Sequence, residues 1–418
     1  MPVPSRGAIT AALLLSLLSA CSSAPESSSE PQRGHLHVMV SSPSVEELSK
    51  GLEEENERSV RLLVQEYRKL HPRLLVSVAV VREEELEGLL RRRQAMGLAP
   101  DLLLTSTSAA RRLAAANLSS HQTLPPQLLG QLRADALASL RRSDGRLDGV
   151  PMALLPDLAC YNRRSTPSPP RTIAELEQLE QRGLESGMAV EGRHLYWTAG
   201  SLGAGTAISE ILAAEPVSPS RRTAIRRWLE WLQRANRYKG VFFLNSLQQL
   251  VEELARGRLD WVMCNSASLP RLREALGDDL GVMPLPSGPG GMASPIRRQK
   301  VWVKSRRIPG ERSRQADALV RFSVQPPFQG SFGLAGSSAV PVNRVVAPQL
   351  NHQDPQIRVL AEASRPEPAG DLFQERISRT LTLVPEMNRV LRQVIDAELG
   401  PEEGVDSLLA VLLPERRP

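Results

Sequence analysis

The chain has 418 residues and a net charge of +6; 41% of its residues are hydrophobic but only 4% are aromatic. That length is enough for two domains of ordinary size. The basic residues are scattered, with short runs at Arg91-Arg92-Arg93 and Arg297-Arg298 and no nucleic-acid-binding motif beside them. The charge therefore argues against a nucleic-acid partner and reads as a solvated face, or as weak attraction to anionic lipid.

The N-terminus carries the clearest targeting signal. Arg6 is followed by an apolar run from Ala8 to Ala20. The run is too short to span a bilayer, which takes about 20 apolar residues, but it suits the apolar region of a signal peptide. It ends in Leu18-Ser19-Ala20-Cys21, which resembles a bacterial lipobox. Small residues before Cys21 fit a peptidase cleft, and the thiol supplies the sulfur for the lipid. Residues 1–20 are thus expected to be a signal peptide and Cys21 the lipidated residue. The Ser-rich stretch over 21–34 is expected to be a flexible tether on the extracytoplasmic, periplasmic side of a cell membrane.

From His35 onward, strand and helix patterns alternate. His35 to Val40 is a short strand. Val45 to Leu70 reads as a long helix, stopped by His71-Pro72. Leu74 to Val81 is a β-branched strand, Glu83 to Met96 a charged helix, Leu102 to Leu104 an apolar strand, and Ala109 to Ala116 another helix. Such alternation predicts a mostly parallel sheet flanked by helices, with ligands bound beyond the carboxyl ends of the strands. The small hydroxylic residues at those exits are Ser41, Ser42, Thr105, Ser106 and Ser108. Each also suits a helix cap.

The middle of the chain supplies an ordered set of short motifs. Pro100-Asp101 and Gly149-Val150-Pro151 come first, then Tyr161-Asn162 with Pro170 and Thr172 before a helix from Ile173 to Leu184. A helix over Leu247 to Arg256 precedes the strand Leu259 to Cys264 and Asn265. Gly281-Val282 with Leu285-Pro286 leads into the glycine loop Gly288 to Gly291, and Val340-Pro341 follows later. Their order and spacing, behind a lipobox, resemble the family 1 extracellular solute-binding proteins that serve ABC importers, the sugar-type lipoproteins among them. The resemblance covers most of residues 35–400. It implies an α/β fold of two lobes, a type II-like periplasmic-binding-protein architecture with a hinge between them. Lobe 1 would comprise 35–155 and 292–345, and lobe 2 would comprise 156–291 and 346–418. The first crossing would lie near Ala153 to Asn162 and the return near Pro284 to Gly291. The resemblance also sets the strands of Cys160 and Cys264 side by side, so a disulfide is open to them, with two buried free thiols as the alternative.

Departures from the family pattern bear on the solute. Ser268 stands where sugar-binding members often have Trp, and Leu154 and Leu155 where they often place a carboxylate, with Asp157 close by. Sugar faces stack on aromatic rings, and few are available. Tyr161, Tyr196, Trp197 and Trp302 are the candidates; Trp197 precedes a glycine-rich stretch, Ala199 to Gly205, read as a loop that opens a helix toward the cleft. Trp228 and Trp231, three apart on a basic helix, read as core. The expected ligand shell is Ser41, Ser42, Thr105, Ser108 and Trp302 from the first lobe, with Tyr161, Trp197 and Asn265 from the second.

Enzyme signatures are missing from the sequence. Gly336-Ser337-Ser338 lacks the second glycine of a nucleophile elbow, and Gly203-Ala204-Gly205 lacks the third of a dinucleotide loop. His35 and His37 read as a surface pair rather than as metal ligands. The expectation is a monomeric binding protein, not an enzyme, with no cofactor or metal. Its partners would be a small polar solute, with sugars and polyols among the candidates, and the membrane subunits of an ABC importer. The alternative is a transport-inactive sensor or partner-binding lipoprotein of the same fold.

Overall fold

The structure, a computed structural model, describes residues 34–42, 50–213, 215–334, 339–346, 355–379 and 383–413. The signal-peptide region, Cys21 and the tether up to residue 33 lie outside them. Among the described residues twelve strands form two sheets: β1 (His35–Ser42), β2 (Leu75–Arg82), β3 (Leu102–Ser106), β4 (Ser119–Ser120), β5 (Val150–Leu155), β6 (Asp157–Asn162), β7 (Ser186–Ala189), β8 (Val241–Leu244), β9 (Trp261–Asn265), β10 (Leu280–Met283), β11 (Arg298–Ser305) and β12 (Val340–Pro341). The first sheet runs in the order β12-β5-β11-β3-β1-β2, with β4 against β11; the second runs β10-β6-β9-β7-β8.

Pairing within both sheets is mixed. β1 lies parallel to β2 and to β3, and β7 lies parallel to β8 and to β9, as strand–helix–strand alternation requires. The strands that connect the lobes break this pattern. β5 and β6 are consecutive, separated only by Pro156, yet β5 belongs to the first sheet and β6 to the second. β5 leaves the first lobe and β6 enters the second, and both pair antiparallel, β5 with β11 and β6 with β9 and β10. After β10 the chain returns to the first sheet at β11.

The short motifs of the sequence turn out to be packing devices. Asp101 is fully buried; its Oδ2 accepts the His37 N–H at 2.9 Å and its carbonyl accepts the Ser305 N–H at 3.1 Å. It thereby ties β11 and β1 to the start of β3. At Gly149 a Cβ would sit 2.4 Å from Val301 Cγ1 and 2.7 Å from the Trp302 carbonyl oxygen, so only glycine lets β5 begin against β11. Cys160 and Cys264 form a disulfide with Cα atoms 5.8 Å apart, on neighbouring strands of the second lobe and fully buried. The pairing open in the sequence is thus made.

The glycine-rich stretch after Trp197 is not a loop. Gly192–Ser201 is one helix and Ala204–Leu212 the next, parted at Gly203, whose φ of +84° ends the first and begins the second. A Cβ on Gly200 would lie 2.1 Å from Ser294 Oγ. Glycine there lets the helix press against the returning segment before β11. The helices Leu383–Ile395 and Pro401–Leu412 complete the second lobe by packing on Pro219–Ala235. The helix Pro368–Arg379 touches both Ala204–Leu212 and the first-lobe helix Thr107–Ala115.

Candidate functional site

In each sheet the parallel strands point their carboxyl ends the same way, and the helices that follow them start there. Glu83, Ser106, Val190, Asn245 and Ser246 follow or end β2, β3, β7 and β8, and all line one cleft of about 1160 Å³. The floor is the hinge. Asp157 opens β6 and Arg298 opens β11, and the two form an ion pair of 3.0 Å with the carboxylate buried. Residues from the first lobe, the second lobe and the C-terminal helix Leu383–Ile395 close the walls.

On the first wall, Ser106 Oγ accepts the Ala109 N–H at 3.1 Å and so caps the helix Thr107–Ala115. The same hydroxyl donates to Glu83 at 2.8 Å, and Arg112 lies 3.5 Å from that carboxylate. Ser108 accepts from Gln374 Nε2 at 3.0 Å, which links this wall to the bridging helix. On the second wall, Glu191 stands 3.5 Å from both Arg193 and His194 at the start of the helix Gly192–Ser201. The Gly192 N–H donates to Asn388 Oδ1 at 2.7 Å. Ser246 caps the helix Leu247–Ala255, and Arg392 donates to Asn245 Oδ1 at 2.5 Å.

Beneath the cleft the lobes are held by a network around Arg297. Its guanidinium bridges Asp135 of the first lobe and Asp371 of the helix Pro368–Arg379, the latter at 2.6 Å. Arg133 shares Asp135 at 2.8 Å. Burial would raise the Asp135 carboxyl, but the two guanidinium groups overcome it and hold the group below the usual carboxylate range. The Arg297-Arg298 run is therefore not a solvated face, because both side chains are ion-paired at the hinge.

The expected ligand shell is only partly assembled. Ser108 lines the cleft, together with Ser106. Ser41 and Thr105 sit just below, hydrogen-bonded to each other at 2.6 Å, and Ser41 reaches Glu83 at 3.5 Å. Ser42 ends β1 beside them. Asn265 ends β9 opposite Asp157, but its side chain caps the next turn by accepting the Ser268 N–H at 3.1 Å. Tyr161 is displaced. It lies four residues past Asp157, about 13 Å along the strand, and its ring covers Gly281, where a Cβ would come within 2.2 Å of it. Trp197 and Trp302 are corrected outright: both are buried to 1% exposure or less in the lobe cores, Trp197 packed against Trp261 at 6.3 Å. Tyr196 is likewise buried, stacked on Phe373 at 3.9 Å.

The residues missed by the sequence reading are mostly charged. Glu83, Arg112, Arg193, Arg298 and Arg392 sit among many other surface charges, and nothing in their spacing separates them. Only Asn245-Ser246, a polar pair at the exit of the Val241–Leu244 strand, carried a signal like that of Ser106. Among the described residues, no group of His, Cys, Asp and Glu could hold a metal ion, and no helix is long and apolar enough to cross a membrane. His37 Nδ1 instead meets Ser77 Oγ at 2.7 Å on the lobe surface.

Solved structures share this fold. The GacH receptor of Streptomyces glaucescens, studied unliganded and with acarbose, aligns with a TM-score of 0.72 at 14% identity, covering 92% of this chain and 100% of its own. The fold is that of the two-lobed solute-binding proteins. UgpB from Mycobacterium tuberculosis in complex with glycerophosphocholine aligns at 0.70 and 15% identity over 92% of this chain and 100% of that one. A cyclo/maltodextrin-binding protein complexed with maltotetraose aligns at 0.70 and 16% over 93% and 98%. No protein-family model and no curated protein sequence matches the chain.

Proposed function

We propose that the chain is an extracytoplasmic lipoprotein that binds a small polar solute between its lobes and delivers it to an ABC importer. The observation that carries this reading is the cleft. Both sheets turn the carboxyl ends of their parallel strands toward one space of about 1160 Å³, floored by two chain crossings. Two lobes that each supply part of a ligand shell gain affinity only when closed, so the solute itself would drive closure. We place lobe 1 at residues 35–155 and 292–345 and lobe 2 at 156–291 and 346–418, in keeping with the membership of the strands. The likeness to the acarbose-, maltotetraose- and glycerophosphocholine-bound proteins supports a hydroxylated polar solute.

Anchoring would come through Cys21, with the tether leading to the fold at Gly34. Several acyl chains on one cysteine suffice for stable attachment, so Cys21→Ala is expected to move the protein into the soluble exported fraction. A Cys21→Ala protein that stays wholly in the membrane fraction removes the anchor from the account. The solute reading is tested by thermal unfolding with sugars, polyols and their charged derivatives, since a ligand of the native state must raise its melting temperature. No shift with any of them favours a transport-inactive partner-binding lipoprotein of this fold.

A further inference from the structure

The cleft's side chains specify more than polarity. No Trp, Tyr or Phe lines it, and all five tryptophans of the chain are buried in the lobe cores. A neutral sugar therefore lacks the ring that would cover its C–H face.

The charges are uneven once their partners are followed. Glu83 is held by Ser106 and Arg112, Asp157 by Arg298, and Glu191 by Arg193 and His194. Glu252 and Glu253 also line the cleft, but each is neutralised from outside it, by Arg271 at 3.0 Å and by Arg258. Arg256, Arg389 and Arg392 remain. Among the described residues none of the three meets a carboxylate: Arg389 donates to Gln393 at 3.0 Å and Arg392 to Asn245. Glu84 is the one lining carboxylate without an ion-pair partner among the described residues. Deeper in, Arg193 is ion-paired to Glu191 through its Nε at 3.5 Å, and that Nε makes no hydrogen bond.

Backbone electrostatics add to this excess. The helices Thr107–Ala115, Gly192–Ser201 and Leu247–Ala255 all begin at the cleft, which brings the positive ends of three macrodipoles toward one space. Guanidinium groups bind phosphate and carboxylate through paired N–H donors, and unpaired ones beside helix N-termini are suited to an anion.

We infer that the cleft takes an anionic solute, a hydroxylated molecule bearing a phosphate or carboxylate that the arginines read directly. This rests on the binding-protein reading and narrows its ligand class. Arg389 and Arg392, three apart on one helix face, supply the contacts.

The test is calorimetric titration of the detergent-solubilised full chain with matched probes: glucose, glucose 6-phosphate, glucuronate, glycerol, glycerol 3-phosphate and maltose. At least one phosphorylated or carboxylated probe is expected to bind tenfold or more tightly than its neutral parent, with affinity falling as salt rises. Arg389→Gln and Arg392→Gln are each expected to cut that affinity tenfold or more. Arg392 is exposed, so Arg392→Gln leaves the fold intact. A phosphate-only or a glucuronate-only response supports the inference and identifies the anion. Binding of maltose or glucose with no preference for the charged derivatives overturns the anionic ligand and leaves the binding-protein reading standing. No heat with any probe, and none with the arginine variants, overturns both.

Discussion

The second-lobe core and the cleft beside it divide the chain's chemistry between them. The core holds Trp197, Trp228, Trp231 and Trp261, while the cleft wall a few residues away is built from Arg193, His194, Asn245 and Arg392. On the helix Gly192–Ser201 the division falls within one turn: Arg193 and His194 line the cleft and Trp197 faces the core. Aromatic residues are scarce in this protein, and they are spent on stability. Even their polar atoms reflect this. The indole N–H groups of Trp197, Trp261 and Trp302 are buried without a partner, whereas Trp228 donates to Thr198 at 2.8 Å and Trp231 to Glu177 at 2.8 Å.

That contrast can be broken most forcefully at Trp197. Trp197→Ala should cost about 3 to 5 kcal/mol of folding stability by emptying a core site, read as a lower urea midpoint. A variant that unfolds like wild type would put Trp197 outside the core. Next comes the disulfide. It closes a loop of 104 residues, and Cys160→Ala with Cys264→Ala should cost about 2 to 5 kcal/mol. An unchanged denaturation curve under non-reducing conditions would mean that the bond adds nothing.

Glu180 sharpens the comparison through pH. Burial pushes its carboxyl up to about 7, Glu177 adds repulsion, and a hydrogen bond from Ser186 Oγ at 2.5 Å only partly opposes them. Its folded pKa lies above its unfolded value, so the native state binds more protons between those two values. The contribution is fully present below the unfolded pKa, near 4.5, and is lost as pH rises through about 7. Glu180→Gln should therefore stabilise the protein at pH 8 by about 2 to 3 kcal/mol and change little at pH 4. Equal melting-temperature differences at both pH values would show that the carboxyl is not held neutral. The smallest effect separates two tryptophans. Trp197→Phe removes an unpaired N–H, while Trp228→Phe removes one donated to Thr198 Oγ1, which then keeps only its own bond to the Leu195 carbonyl, so Trp228→Phe should be the more costly by about 1 kcal/mol.

Much of this frame was legible in the sequence. Alternating strand and helix patterns gave the parallel cores of both sheets, because β-branched runs such as Leu75–Arg82 and apolar runs such as Leu102–Leu104 state their own period. Ser106 and Ser108 could be placed on the cleft because strand exits in such sheets open onto it. Trp197 was misread because glycines at 200 and 205 look like a loop, although they serve close helix packing. Tyr161 was misplaced because a sequence does not state which end of a crossing strand meets the cleft. The arginines stayed hidden for a different reason. Surface charges outnumber functional ones, and only the fold brings Arg193, Arg298 and Arg392 to one space. The mixed pairing of β5, β6, β10 and β11 follows from crossing between lobes, which local pattern cannot report.

The division between a tryptophan core and an arginine cleft is tested most directly by titrating one anionic probe, glucose 6-phosphate, into two variants. Arg392→Gln should lose tenfold or more in affinity, about 1.4 kcal/mol or more, while keeping the melting temperature of the free protein. Trp197→Phe should retain wild-type affinity. The reverse result, with affinity lost in Trp197→Phe and kept in Arg392→Gln, would place the solute on the tryptophan and contradict the account.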